Sequence, residues 1–412
     1  MRHRVLIAGA ALAIVAAACG GAADNSPADA AAATTTAAGG DETTTTADPG
    51  AAPAVGVLPE GPSALDTSNA DEFPPPLVDP GDILSGGPPP DGIPPIDEPI
   101  FVNVIDSLDL LQDSAPVVAL EIDGDARAYP IEVLVWHEIV NDTVGGVPVS
   151  VTYCPLCNSA VTYLREIRGV ETTFGTSGRL FASALVMYDR ATESLWTHFD
   201  GKAVVGLLTG EELEAISSPL LSWGDFIEAY PNGQVLDPAQ TGFNRDYGRN
   251  PYIGYDNASS EPFLFTGITD PRAASKQRIV GIELDDEAKA FTLEAISEGV
   301  AKATNTAVGN TDVVIFWKSG QASALEAGSV DDGRDVGSVS VFLPVADGQA
   351  LTFTADGDVF RDDQTGSEWS GLGEALSGEL EGIWLERVNH LDTFWFAWAT
   401  YSPGTELVDV AG

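Results

Sequence analysis

Apolar and polar residues alternate along most of the chain after about residue 98. Examples are VPVSVTY at 147–153 and DVVIFW at 312–317, and this period of two is typical of strands with one buried face. Short helical patterns interrupt the alternation and predict helices at 131–140, 222–230 and 394–400. The pattern therefore predicts an α+β chain that is mostly β, with a few short helices.

Two stretches of the chain are similar to each other. Residues 117–132 (VVALEIDGDARAYPIE) and 279–294 (IVGIELDDEAKAFTLE) are identical at six of sixteen positions. Each predicts a strand, a two-residue acidic turn and a second strand, and the pair Asp123-Gly124 favours a type I′ turn. The pattern indicates that a β-hairpin occurs twice.

Later segments repeat with a similar offset. TESLW at 192–196 is matched by TGSEW at 365–369. We therefore expect internally duplicated β-rich units that pack as one globular body. The expected boundaries are a first unit at 98–240, a connecting segment at 241–275 and a second, degenerate unit at 276–410.

The N-terminus has the pattern of an export signal. Arg2 and Arg4 precede an apolar run at 5–15 that is too short to span a membrane, and three alanines stand before Cys19. The pattern resembles a bacterial lipoprotein signal peptide. That resemblance implies cleavage after residue 18 and acylation of Cys19, which would attach the protein to a lipid bilayer. A plain secretory signal is the alternative.

Residues 19–97 are rich in alanine, threonine and proline. Such a segment buries too little apolar surface to offset the entropy that ordering costs. The composition predicts a disordered tether between the anchor and the folded units.

The chain is strongly acidic. Its 412 residues include 62 Asp plus Glu against 19 Lys plus Arg, a formal net charge of −43. Binding to phosphate backbones needs cations, so nucleic acid is not an expected partner. The hydrophobic fraction of 44% in a chain this long predicts a substantial buried core.

The first unit carries a Cys-x-x-Cys motif, Cys154-Pro-Leu-Cys157, and the matching stretch of the second unit lacks cysteine. Three chemistries fit the motif: a metal-binding turn, a redox dithiol and a structural disulfide. The flanking sequences predict strands on both sides. This context favours metal over a thioredoxin-type motif, which opens a helix.

A metal needs further ligands. His137 and His198 are the candidates in the first unit, and with Cys154 and Cys157 they would form a Cys₂His₂ set for a single transition metal (zinc, copper or iron). Glu138 is the candidate catalytic residue, as a base or as a partner that orients His137.

Several longer stretches resemble an uncharacterised bacterial family catalogued as domain of unknown function 3179. They are WHEIVNDTVGGVPVSVTYCPLCNSA (136–160), LVMYDRATESLWTHFDGKAVVG (185–206) and RDYGRNPYIGYDN (245–257). The resemblance spans about residues 100 to 408. It implies no established activity, and it implies an exported or membrane-associated protein.

These observations favour a lipid-anchored extracytoplasmic protein with a Cys/His metal-binding or redox site that acts on an unidentified small molecule. The alternative is a non-enzymatic envelope domain that binds a ligand or partner, with a structural disulfide between Cys154 and Cys157. Whether the chain is an enzyme stays open at this point.

Overall fold

Strands make up most of the regular structure. The computed structural model describes residues 56–66 and 71–410, with 40% strand and 10% helix in one globular body. The predicted class, α+β and mostly β, is confirmed. Cys19 and the predicted signal at 1–18 lie outside the described residues.

The first half of the described chain contains short strands joined by tight turns. In chain order they are β1 (Ile83–Ser85), β2 (Phe101–Asn103), β3 (Pro116–Ile122), β4 (Asp125–Pro130), β5 (Ile139–Val144), β6 (Val147–Cys154), β7 (Ser159–Leu164), β8 (Glu166–Ile167), β9 (Val170–Glu171), β10 (Phe174–Phe181), β11 (Ala184–Asp189), β12 (Leu195–Thr197), β13 (Ala203–Val205), β14 (Ala215–Ile216), β15 (Leu220–Ser222) and β16 (Gln234–Leu236).

The second half continues in the same way. Its strands are β17 (Arg278–Leu284), β18 (Glu287–Thr292), β19 (Ala301–Val308), β20 (Thr311–Lys318), β21 (Ser338–Phe342), β22 (Val345–Ala346), β23 (Gln349–Ala350), β24 (Phe353–Asp356), β25 (Val359–Asp362), β26 (Glu368–Trp369), β27 (Ala375–Ser377), β28 (His390–Phe394) and β29 (Glu406–Val408). The α-helices are α1 (Ile131–His137), α2 (Trp223–Ala229), α3 (Leu293–Ile296) and α4 (Trp395–Tyr401), and short 3₁₀ turns lie at Pro80–Asp82, Val104–Asp106 and Pro238–Gln240.

The helices lie close to the predicted positions, but their ends differ. The helix predicted at 131–140 ends at His137, because Glu138 adopts a left-handed conformation with φ of 61° and its N–H closes the last turn on the Leu134 carbonyl. Helix α2 begins after Ser222, whose side chain accepts a hydrogen bond from the Asp225 N–H. The sequence pattern did not predict the four-residue helix α3.

The predicted hairpin turn is confirmed. Strands β3 and β4 pair up to Ile122 and Asp125, so Asp123 and Gly124 form the two-residue turn. Their φ angles of 51° and 84° are both positive, as a type I′ turn requires.

Each half builds a sheet around such a hairpin. The first has the strand order β15-β3-β4-β16-β2 and the second β28-β17-β18-β29. In both, an antiparallel strand flanks the first hairpin strand and a parallel strand flanks the second. In both, the flanking antiparallel strand leads directly into a helix, α2 or α4.

Two further sheets in each half have related orders. They are β14-β7-β6-β5 and β1-β10-β11-β12-β13 in the first half, with β19-β20-β21 and β24-β25-β26-β27 in the second. The largest apolar cluster contains residues of both halves, including Tyr153 and Trp196 from the first and Phe394 and Trp395 from the second. One shared core therefore holds the Cys-x-x-Cys strand against the C-terminal helix.

The described residues upstream of 98 are packed on the body. Strand β1 pairs with β10, and the side chains of Ala64 and Ile96 are buried. Over residues 56–66 and 71–97 the structure therefore differs from the disordered tether expected over 19–97, and the rest of that expected segment lies outside the described residues. The reason for the difference is that apolar residues of this segment pack on the folded body: Ile83 and Leu84 pair with the edge of β10, and Ala64 and Ile96 join apolar clusters. No helix in residues 56–66 or 71–410 is long and apolar enough to cross a membrane.

Candidate metal centre

The Cys-x-x-Cys motif forms the turn between two strands. Cys154 is the last residue of β6 and pairs with Ser159, the first residue of β7. Cys157 lies in the turn itself, and its carbonyl accepts hydrogen bonds from Thr393 Oγ1 at 2.8 Å and from the Phe394 N–H at 3.1 Å. The predicted turn between strands is confirmed, and the second half of the chain fixes its backbone.

His198 joins the two cysteines. One ligand atom from each of Cys154, Cys157 and His198 lies within 4.8 Å of the others, and all three residues are buried. His198 stands two residues after Trp196, just beyond β12, and its N–H donates to the Leu185 carbonyl at 3.0 Å. The N–H of Leu185 in turn points at Cys154 Sγ at 3.4 Å. Strand β11 therefore holds the imidazole and the first sulfur side by side.

The imidazole of His198 is fully buried, and neither of its ring nitrogens has a hydrogen-bond partner. Burial lowers the pKa of His198 to about 3, so the ring is neutral at pH 7. A neutral imidazole with a free nitrogen is the form that binds metal ions. A buried polar atom without a partner is costly, and a metal ion within reach would remove that cost.

The two thiols are free, and their environments differ. Burial would raise the pKa of Cys154, but hydrogen bonds from Cys157 and from the N–H groups of Leu185 and Leu156 outweigh it and hold that pKa below its usual range. Burial and the neighbouring sulfur of Cys154 raise the pKa of Cys157 well above its usual range. The Ser159 hydroxyl contacts Cys157 Sγ at 3.0 Å. Cys154 is therefore the more acidic thiol of the pair.

His137 does not belong to this group, which corrects the predicted set of four ligands. Its Nδ1 donates to the Pro94 carbonyl at 2.6 Å, and its Nε2 accepts from the Tyr247 hydroxyl at 2.7 Å. Burial lowers the pKa of His137, so the neutral ring uses one nitrogen as donor and the other as acceptor. No ring nitrogen of His137 is free for a metal.

Glu138 lies beside the cluster rather than within it. Its side chain is 7% exposed, and its carboxyl has no hydrogen-bond partner among the described residues. Burial, together with the charge of Cys154, raises the pKa of Glu138 well above its usual range. The carboxyl is not among the clustered ligand atoms, and it faces an adjoining pocket instead.

That pocket has a volume of about 280 Å³ and borders the cysteine turn at Leu156 and Leu185. Its walls are mainly apolar and come from the upstream segment, from β10 and from the segment between the halves. The lining residues are Gly86, Pro88, Ile93, Glu138, Leu156, Thr176, Gly178, Arg179, Leu180, Leu185, Tyr252, Tyr255 and Phe263. A small molecule in this space would lie next to Cys154.

The corresponding place in the second half has different chemistry. The last residue of its middle strand is Lys318 where the first half has Cys154. The residue two positions after Trp369 is Gly371 where the first half has His198. The Lys318 ammonium lies 2.9 Å from the Asp225 carboxylate. An ion pair thus takes the position that the sulfur and imidazole cluster has in the first half.

Sequence reasoning missed several residues around the cluster. Leu185 supplies a backbone donor, and Tyr252 and Tyr255 form a wall of the pocket. The two tyrosines lie in RDYGRNPYIGYDN, a stretch already singled out by the family resemblance. The signal available in the sequence was the group of aromatic residues in this segment, which has neither the helical nor the strand periodicity that would explain them as core residues.

The described residues thus form a mostly β body with a buried cluster of two cysteines and a histidine. Comparison with known families gives a match over residues 90–405 to the family described as "Protein of unknown function (DUF3179)". The chain belongs to this family, which confirms the resemblance seen in the sequence. A search of curated proteins found no match, and neither did a search of solved structures.

Proposed function

We propose that Cys154, Cys157 and His198 bind a single transition metal ion at which a small molecule is bound or transformed. The observation that carries the proposal is the buried imidazole of His198, whose unpartnered nitrogens lie beside two free thiols. Nothing else among the described residues satisfies that ring.

The ligand types support zinc, copper or iron. Thiolate sulfur and imidazole nitrogen are the donors that these metals prefer over magnesium or calcium. The two negative charges of two thiolates also balance the charge of a divalent cation in a buried site, and the neutral imidazole adds a ligand without adding charge. Three protein ligands leave a position free, as in catalytic rather than structural zinc sites.

Metal analysis of the purified chain tests the proposal. We expect about one equivalent of a transition metal in the wild type and a loss of at least tenfold in His198→Gln and Cys154→Ser. His390→Gln is the matched control, because His390 lies in the second half with its Nδ1 near the Val388 carbonyl at 3.1 Å. This control should keep the metal.

Thiol titration before and after reduction completes the experiment. A wild type without metal and with no titratable thiol until reduction would contradict the proposal and support a Cys154–Cys157 disulfide in a non-enzymatic ligand-binding domain. Equal metal content in the wild type and His198→Gln would also contradict it.

A redox dithiol is the second candidate, favoured by the contrast between the two thiols. The pKa of Cys154 is lowered and that of Cys157 is raised, which is the pairing of an attacking thiolate with a protonated partner. Reversible formation of a disulfide at a defined potential, in a metal-free wild type, would support this candidate over the metal site.

We also propose that the protein acts at the cell envelope, attached to the membrane through acylated Cys19. The positive, apolar and small-residue pattern of residues 1–18 supports export. The excess of acidic residues argues against nucleic acid as a partner. The matched sheets of the two halves support the view that they are repeats of one unit, of which the first carries the site.

A further inference from the structure

The pocket beside Cys154 is lined by a buried carboxyl that has no hydrogen-bond partner among the described residues. Glu138 is nine-tenths buried, and its carboxyl makes no hydrogen bond to the described residues. The surrounding walls at Leu156, Leu185 and Leu180 offer it none. A ligand in the pocket would complete its hydrogen bonding.

Two other polar side chains of the pocket already make hydrogen bonds. Thr176 Oγ1 donates to the Ile93 carbonyl at 2.7 Å. The Arg179 guanidinium donates to the carbonyls of Leu65 at 2.5 Å and Ala64 at 3.4 Å. These two bonds hold the guanidinium on the upstream segment. A phosphate or carboxylate in the pocket would lie beside the buried Glu138 carboxyl, and two buried carboxylate-type charges side by side are costly. The pocket therefore disfavours anionic ligands.

Aromatic rings form part of the pocket wall. Tyr252 and Tyr255 pack against each other edge to face at 6.3 Å between centroids. Lys276 fixes Tyr255, since its ammonium bonds the Tyr255 carbonyl at 2.6 Å and lies 3.7 Å from the ring centroid. Fixed aromatic rings and leucine side chains in one pocket suit a flat apolar ligand.

The volume sets the size of that ligand. An apolar cavity of about 150 Å³ holds benzene. A pocket of about 280 Å³ therefore accommodates one substituted ring or an alkyl chain of similar bulk.

We propose that this pocket binds the substrate of the site, and that the substrate is a small, uncharged, mainly apolar molecule with one oxygen that hydrogen-bonds to Glu138. This inference rests on the proposed function, because a ligand in the pocket is a substrate only if the neighbouring Cys/His cluster is reactive. Glu138 is then a residue that contacts substrate, whereas the sequence suggested a catalytic base or a partner that orients His137.

Calorimetric binding of 4-methylphenol to the full chain tests the inference, with toluene and 4-methylbenzoate as comparison ligands. We expect 4-methylphenol to bind at least tenfold more tightly than either. Toluene lacks the oxygen, and 4-methylbenzoate is charged. Glu138→Leu should reduce the difference between 4-methylphenol and toluene to less than threefold, whereas Glu138→Gln should keep most of it.

Ile93→Trp provides the steric test, because it adds bulk from the upstream segment and leaves the cysteine turn unchanged. It should weaken 4-methylphenol binding at least tenfold. Ile100→Trp is the matched control, since Ile100 is 45% exposed and does not line the pocket. Leu180→Trp, in β10, is a second filling variant should Ile93→Trp fold poorly.

Unchanged binding in both filling variants, or equally tight binding of 4-methylbenzoate, would overturn the inference. Metal content measured on the same samples separates it from the proposed function. Metal retained with no selective binding refutes the pocket inference alone. Selective binding that depends on Ile93 and Glu138 in a metal-free wild type supports the pocket and refutes the metal site.

Discussion

At the scale of single residues, burial shifts the pKa values of several ionisable side chains in the first half. Glu132, on the first turn of α1, is one of them. Burial and the charge of Asp331 raise the pKa of Glu132 to about 7. Such a carboxyl takes up a proton on folding between about pH 4.5 and pH 7, so the free energy of unfolding falls as the pH rises through that window.

Glu132→Gln should therefore stabilise the protein at high pH. We expect its free energy of unfolding at pH 8 to exceed that of the wild type by about 1–3 kcal/mol, with no gain below about pH 4.5. Urea unfolding at the two pH values measures the difference. Glu294→Gln, which removes an exposed glutamate from the first turn of α3, controls for the loss of one negative charge. An equal gain at both pH values would contradict the prediction.

At the scale of elements, a buried aspartate organises the same turn in each half. Asp189 accepts from the Thr192 N–H and hydroxyl, from the Ser194 N–H and from the Trp196 indole. In the second half, Asp362 accepts from the corresponding four groups, which belong to Thr365, Ser367 and Trp369. In the first half this turn leads directly to His198.

The two turns give a matched pair of variants. Asp189→Asn and Asp362→Asn should each lower the free energy of unfolding by about 2–3 kcal/mol, because an amide N–H₂ would face buried donors. Only Asp189→Asn should also lower the metal content, since its turn positions His198. Urea unfolding and metal analysis check both effects. Equal metal loss in the two variants would contradict a positioning role for Asp189.

Sequence alone predicted much of this arrangement. The type I′ turn at Asp123-Gly124 and the strand-turn-strand around Cys154 follow from local residue types. His137 could not be separated from His198 by sequence, because the groups that occupy its nitrogens, at Pro94 and Tyr247, are remote along the chain. The end of α1 was missed because Glu138 adopts a left-handed conformation, which is unusual for glutamate.

At the scale of the whole molecule, the described residues form one body with a core shared between the halves. The upstream segment contributes strand β1 and a wall of the pocket. The family match begins at residue 90. Gly86 and Pro88, which line the pocket, precede it.

The proposed attachment also belongs to this scale. Cys19→Ser should release the protein from the membrane fraction into the soluble extracytoplasmic fraction, because a serine offers no thiol for acylation. Fractionation of cells that express the full chain, with mass analysis of the N-terminal peptide, provides the measurement. Cys154→Ser should stay with membranes. A Cys19→Ser protein that also stays there would contradict anchoring through this residue.

The Cys157 carbonyl accepts hydrogen bonds from Thr393, which lies 236 residues further along the chain, and from the next residue, Phe394. Strand β28 can therefore reach that carbonyl only when almost the whole polypeptide is available. A protein truncated before residue 393 would leave both sulfurs on a turn without this support, and we expect its centre to stay unformed.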